Sequence, residues 1–146
     1  MLLYRASVRV KASPERVWEW LSDWDRSADW IIGTTVDVVG EQHDGVGART
    51  RATTKIAGIS LIDEMTVSRW EPPRLIEVRH NRKPLLGDAW FEVVPVDGGA
   101  YVDWVEDLEL PLGRLGEFGG SVLRAPVEWG LRKSLRKLKQ LVEASS

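Results

Sequence analysis

The last segment constrains this chain most. From about residue 126 to 144, Val127, Leu131, Leu135, Leu138 and Val142 recur at intervals of four, four, three and four. That spacing lays one apolar stripe along an α-helix, with Arg132, Lys133, Arg136, Lys137 and Lys139 largely on its other sides. At 1.5 Å per residue such a helix is roughly 30 Å long, enough to cross a whole small sheet. A single long helix with one apolar face needs a broad apolar surface to lie on, and the preceding residues supply one.

Residues 34–40, 48–57, 59–70, 75–81, 88–96 and 101–110 read as strands. Between them lie turn signals: Asp44-Gly45, Gly58, Pro72-Pro73, Pro84 to Gly87, and Asp97-Gly98-Gly99. An earlier run, 3–11, alternates in the same way, with Tyr4, Ala6, Val8 and Val10 on one side and Leu3, Arg5, Ser7, Arg9 and Lys11 on the other. Ser13-Pro14-Glu15 then offers a capping hydroxyl, a proline at the first helical position and an acid near the exposed N–H groups. The helix that follows carries Val17, Trp20, Leu21 and Trp24 on one face, with Trp18 off it. A break at Ser22-Asp23 leads to a second short helix ending near Trp30, with Gly33 as its stop. Residues 112–120, rich in glycine, read as a loop or irregular start to the long helix.

These elements make one α+β domain over 1–146: a curved seven-stranded antiparallel sheet around a long C-terminal helix, with two short helices between the first and second strands. A chain of 146 residues with 43% hydrophobic content is long enough to bury about two-thirds of its unfolded surface. A sheet closing on one helix does not fill all the space between them, so a concave, mostly apolar pocket is expected. The absence of cysteine excludes disulfides, zinc ribbons, iron–sulfur ligation and thiol catalysis. A formal charge of −2 argues against a dedicated nucleic-acid binder. No apolar run approaches the roughly 20 residues of a membrane span, and the first residues do not read as a signal peptide, so a cytoplasmic protein without stable membrane insertion is expected.

Within this scheme three ionisable residues take the inward phase. Glu106 alternates with Val102, Trp104, Leu108 and Leu110; His80 follows Ile76 and Val78; Asp63 lies between Leu61 and Met65. Desolvation of a carboxyl in such company raises its pKa, and a histidine there titrates near neutrality, so the three are candidate acid–base groups. Nothing in the pattern brings them together. The candidate ligand-lining residues are Trp30, Met65, Val78, Phe91, Trp104, Leu108, Leu131 and Leu135. Of the eight tryptophans, Trp20 and Trp24 read as core, while the facing of Trp18, Trp70, Trp90 and Trp129 stays open. Tyr101 and Val105, on the outward face, are candidates for a dimer contact, so monomer and homodimer both stand.

His43 and His80 are the only histidines, and neither has a ligand-like partner two or four residues away, so no metal is expected. Gly116-Glu117-Phe118-Gly119-Gly120 lacks the phosphate-loop ending, and Ser121 lies outside any Gly-x-Ser-x-Gly elbow; no cofactor is expected either. The glycine-rich stretch fits a mobile lid or hinge beside the pocket, and the basic face of the last helix suits a solvated surface or contact with anionic headgroups.

The segment Ala12-Ser13-Pro14-Glu15-Arg16-Val17-Trp18-Glu19-Trp20-Leu21-Ser22-Asp23, followed by Trp30, Trp70-Glu71-Pro72-Pro73-Arg74-Leu75 and the strand running from Gly87 to Pro95, resembles the START/Bet v 1-like superfamily, in particular its bacterial polyketide cyclase/dehydrase and lipid-transport group. The likeness covers nearly the whole chain and implies a helix-grip fold with a ligand cavity. Members include carriers of hydrophobic ligands, aromatase/cyclases, quinone-binding proteins and stress-response modules, and no universal catalytic motif carries over. The expected function is therefore binding of a hydrophobic small molecule such as a lipid, polyketide or isoprenoid-like compound. The alternatives are a polyketide cyclase, aromatase or dehydratase using Glu106, Asp63 or His80, and a protein-interaction module of co-chaperone type.

Overall fold

The computed structural model describes residues 2–56 and 58–145; Ala57, the predicted end of one strand, lies outside the described residues. The chain runs β1 (Leu2–Val10), α1 (Pro14–Leu21), a 3₁₀ turn (Trp24–Arg26), α2 (Ser27–Trp30), β2 (Thr34–Val39), β3 (Arg49–Ile56), β4 (Ile59–Glu71), β5 (Leu75–Arg82), β6 (Leu85–Val96), β7 (Gly99–Glu109), α3 (Gly113–Val122) and α4 (Arg124–Ala144). All seven strands form one antiparallel sheet in the order β1-β7-β6-β5-β4-β3-β2. β1 and β2 thus lie at opposite edges, and the two short helices carry the chain from one to the other. The Ser13 hydroxyl accepts from the Arg16 N–H at 3.2 Å and Pro14 occupies the first turn, which fixes where α1 starts.

The core lies between the sheet and α4. Val10, Val17, Leu21, Ile76, Val93, Val102, Leu135, Leu138 and Val142 are essentially fully buried there, each stabilising the fold by about 1.5–3 kcal/mol relative to exposure. The stripe read from the last segment is the face that packs, with Val127 half-buried at its start. On β3, Thr50 and Ala52 turn inward and Arg49, Arg51 and Lys55 outward.

Four expectations change. Residues 113–122 form a helix rather than a loop, because glycine lets that segment dock: a Cβ at Gly116 would overlap the Pro111 carbonyl, and one at Gly120 would overlap Leu2. The Tyr4 hydroxyl donates to the Gly120 carbonyl at 2.7 Å and ties the helix to β1. β6 starts at Leu85, not at residue 88, and passes β7 so closely at Gly87 (φ +125°) that a side chain there would overlap the Asp107 carbonyl. Val105 is buried, since β7 lies between β1 and β6 with Arg5 and Trp90 as its cross-strand neighbours, so of the predicted dimer-contact pair only Tyr101 reaches the surface. Trp20, read as core, is half-buried, with the Arg26 guanidinium 4.6 Å above its ring.

Candidate functional site

The three inward-facing ionisable residues meet. The cross-strand pairing of Met65 with His80 makes Asp63, two residues along β4 on the same face, the diagonal neighbour of His80. Its carboxylate oxygens lie 2.8 and 2.9 Å from His80 Nδ1. Glu106 stands on β7, two strands from β5, and still brings Oε2 to 3.1 Å from His80 Nε2. The strand between explains the reach. β6 presents Gly87 opposite His80 and Ala89 opposite Glu106, so no bulky side chain separates them. Two small residues in the inward phase of β6 therefore build the trio, and sequence reasoning passed over both.

The trio is buried: side-chain exposure is 13% for Asp63, 3% for His80 and 17% for Glu106. Burial alone would push the His80 pKa down, but hydrogen bonds to Asp63 and Glu106 and the charges of both outweigh it, raising the pKa from 6.5 to about 10. At neutral pH the ring is an imidazolium that donates from both nitrogens. Neither ring nitrogen is then free to ligate a metal, and among the described residues no cluster of His, Asp and Glu has the geometry to hold one. A general acid or base works best with a pKa near the working pH. A ring clamped as a cation instead offers a fixed charge and leaves Glu106 Oε1 outside the imidazole pair, as an acceptor.

Next to the trio lies an aromatic cluster. Trp30 from α2, Phe91 from β6 and Trp104 from β7 have ring centroids 4.8–5.8 Å apart in edge-on and tilted geometries. Trp104 precedes Glu106 by two residues on the same face of β7, so the rings adjoin the carboxylate. Val78, Leu108, Leu131 and Leu135 are buried in the same core, with Met65 and Phe91 packed against it. The predicted lining residues thus converge, but the three rings already fill space between sheet and helix. Trp30 Nε1 is buried without a hydrogen-bond acceptor among the described residues, and the Thr50 hydroxyl is likewise without a partner among them. Two cavities open elsewhere: one of about 210 Å³ beside the 3₁₀ turn, lined by Asp23, Trp24 and His43 among others, and one of about 240 Å³ over β2–β5, which Met65 borders. Trp18 and Trp70, whose facing the sequence left open, pack edge-on at 5.3 Å near Trp24.

A family model described as polyketide cyclase/dehydrase and lipid transport matches residues 1–143. No curated protein matches the sequence. Among solved structures, TTHA0849 of Thermus thermophilus superposes with a TM-score of 0.83 at 18% identity, covering 99% of each chain. The di-domain ARO/CYC protein StfQ from the steffimycin biosynthetic pathway gives 0.79 at 13% identity, over 98% of this chain and 51% of that one, so the present chain spans about half of its length. A dimeric protein of Colwellia psychrerythraea, solved in solution, gives 0.68 at 19% identity, over 98% and 97%. At these identities the likeness shows the fold.

Proposed function

Because this chain belongs to the polyketide cyclase/dehydrase and lipid transport family, we propose that it binds a hydrophobic small molecule between the sheet and α4, as a carrier or binding protein. The observation that carries this reading is the Asp63–His80–Glu106 trio set on an inner face that is otherwise mostly apolar. The body of the ligand lies against Trp30, Phe91 and Trp104, exchanging ring–ring contacts for ring–ligand ones. Its polar end, a hydroxyl or other donor, meets Glu106 Oε1. Apolar walls with a few placed polar groups supply affinity and orientation in that order. The raised pKa of His80 supports holding a ligand over passing protons to it.

The test is native mass spectrometry of protein purified without detergent, followed by solvent extraction of any adduct. A defined adduct is expected, and Glu106→Gln should weaken its retention. If no adduct is found, and fatty acids, isoprenoid quinones and aromatic polyketides all leave tryptophan fluorescence unchanged, the reading fails.

The same trio also supplies the groups for a second reading, a cyclase, aromatase or dehydratase acting on a polyketide-like substrate, with Glu106, Asp63 or His80 as the acid or base in an aldol-type closure or loss of water. Glu106→Gln separates the two: an enzyme loses turnover while ligand affinity stays within a few-fold, and a carrier has no turnover to lose.

A further inference from the structure

α3 is built inside out. Two of its glycines face the protein, Gly120 against Leu2, Leu110 and Tyr4 and Gly116 against Pro111, while its large apolar residues face solvent. Leu115, Phe118 and Val122, spaced three and four apart on one helix face, are 68%, 69% and 64% exposed. Leu112 before the helix, Leu123 at the junction with α4 and Trp129 on α4 are also more than half exposed. Gly116, Gly119 and Gly120 inside a ten-residue helix cost about 1 kcal/mol each relative to alanine, and docking on β1 explains the inward glycines but not three large apolar side chains left in water. A surface that receives the apolar face explains them.

The charge around it says what that surface is. Residues 112–140 hold seven basic residues and two acidic ones, in a chain whose formal charge is −2. Arg132, Lys133, Arg136 and Lys137 stand on the solvent side of α4 around Trp129, with the Lys133 ammonium 4.8 Å above the Trp129 ring. Arg124 sits at the junction, hydrogen-bonded to the Leu3 carbonyl. Exposed Leu, Phe and Trp beside clustered Arg and Lys are the make-up of a helix that lies in the headgroup region of an anionic bilayer. A second copy of this chain would bring the same cations face to face, which disfavours self-association. A ten-residue helix spans about 15 Å, half the hydrocarbon thickness, so it lies in the interface and does not cross.

We propose that the α3–α4 corner is a peripheral docking surface for anionic membranes, with Leu115, Phe118 and Val122 inserted and the basic face of α4 over the headgroups. The proposal rests on this surface alone and is independent of what the interior binds.

The test is flotation of the full chain with phosphatidylcholine vesicles, with and without phosphatidylglycerol, at low and high salt. The wild type should float with the anionic vesicles only, and less at high salt. Leu115→Ser/Phe118→Ser and Arg132→Glu/Lys133→Glu should each weaken this by about tenfold or more. Ile59→Ser, which removes an equally exposed apolar residue from the start of β4, should change nothing. All the substituted side chains are exposed, and circular dichroism confirms that each variant is folded. No flotation at low salt overturns the proposal, as does equal flotation by Leu115→Ser/Phe118→Ser. A concentration-dependent dimer that this double variant abolishes, without vesicle binding, assigns the surface to a second copy instead.

Discussion

Replacing Glu106 by glutamine removes one of the two charges that hold His80 protonated while keeping an oxygen that can accept from Nε2–H. The His80 pKa of about 10 against 6.5 in the unfolded chain corresponds to at most ~5 kcal/mol of preference for the charged ring in the fold. Because the folded value is the higher one, this stabilisation is fully present below pH ~6.5 and is lost as pH rises through about 10. Two carboxylates share it, and a charge-assisted hydrogen bond is worth roughly twice a neutral one. Glu106→Gln should therefore cost about 1–2.5 kcal/mol near pH 7. The cost should shrink toward zero above pH ~10, where the wild-type ring is neutral as well. Urea denaturation of both proteins at several pH values measures the difference, in which other titrating groups cancel. An NMR titration of the imidazoles supplies the second readout, and His43, exposed outside the core, is the only other histidine signal. A cost that is the same at every pH, or a wild-type His80 ring that titrates near 6.5, would refute the reasoning.

Two further substitutions test the packing that builds the site. Gly87→Ala places a Cβ on the Asp107 carbonyl at a φ of +125°, so at least ~2 kcal/mol should be lost. Thermal unfolding should show it as a fall of about 5 °C or more, and a variant as stable as wild type would mean that β6 and β7 do not approach so closely. Leu135→Ala empties a fully buried position on α4 and should cost about 2–5 kcal/mol in urea denaturation; a cost below about 1 kcal/mol would mean that α4 is not seated on the sheet.

Most of the fold was legible because it rests on periodicity. The stripe from Val127 to Val142 and the alternation of 3–11 depend on which face is apolar, and tertiary packing obeys that. Glycine misled where it served packing rather than chain reversal. In 113–122 helix propensity is low, and docking on Leu2 and Tyr4 overrides it, a long-range contact that local composition does not encode. At Gly87 the same residue type reads as a turn, whereas its role is to let two strands approach within a continuous ladder. Val105 was misplaced for a related reason: alternation tells the two faces of a strand apart but not whether the outer face is covered, and here Arg5 and Trp90 flank it.

The site divides along the same line. Alternation put Asp63, His80 and Glu106 on the inner face, and the structure keeps each of them there. Their meeting depends on register, which sets Met65 opposite His80 and Gly87 between His80 and Leu108. Register over four strands follows from turn geometry and strand starts, and β6 starts three residues before the turn signals in the sequence place it. Had β6 been read from Leu85, its inward phase would show Gly87 and Ala89 in succession, two positions without bulk, flanked by strands that each carry an ionisable residue facing the same way. Small residues between inward-facing charges are the signal that such charges can pair across a strand, and pairing is what makes them tolerable in a core. Glu106, which in isolation reads as a desolvated and reactive carboxyl, is in this setting half of a clamp on a cation. The function that its environment supports shifts accordingly, from proton transfer toward holding a ligand.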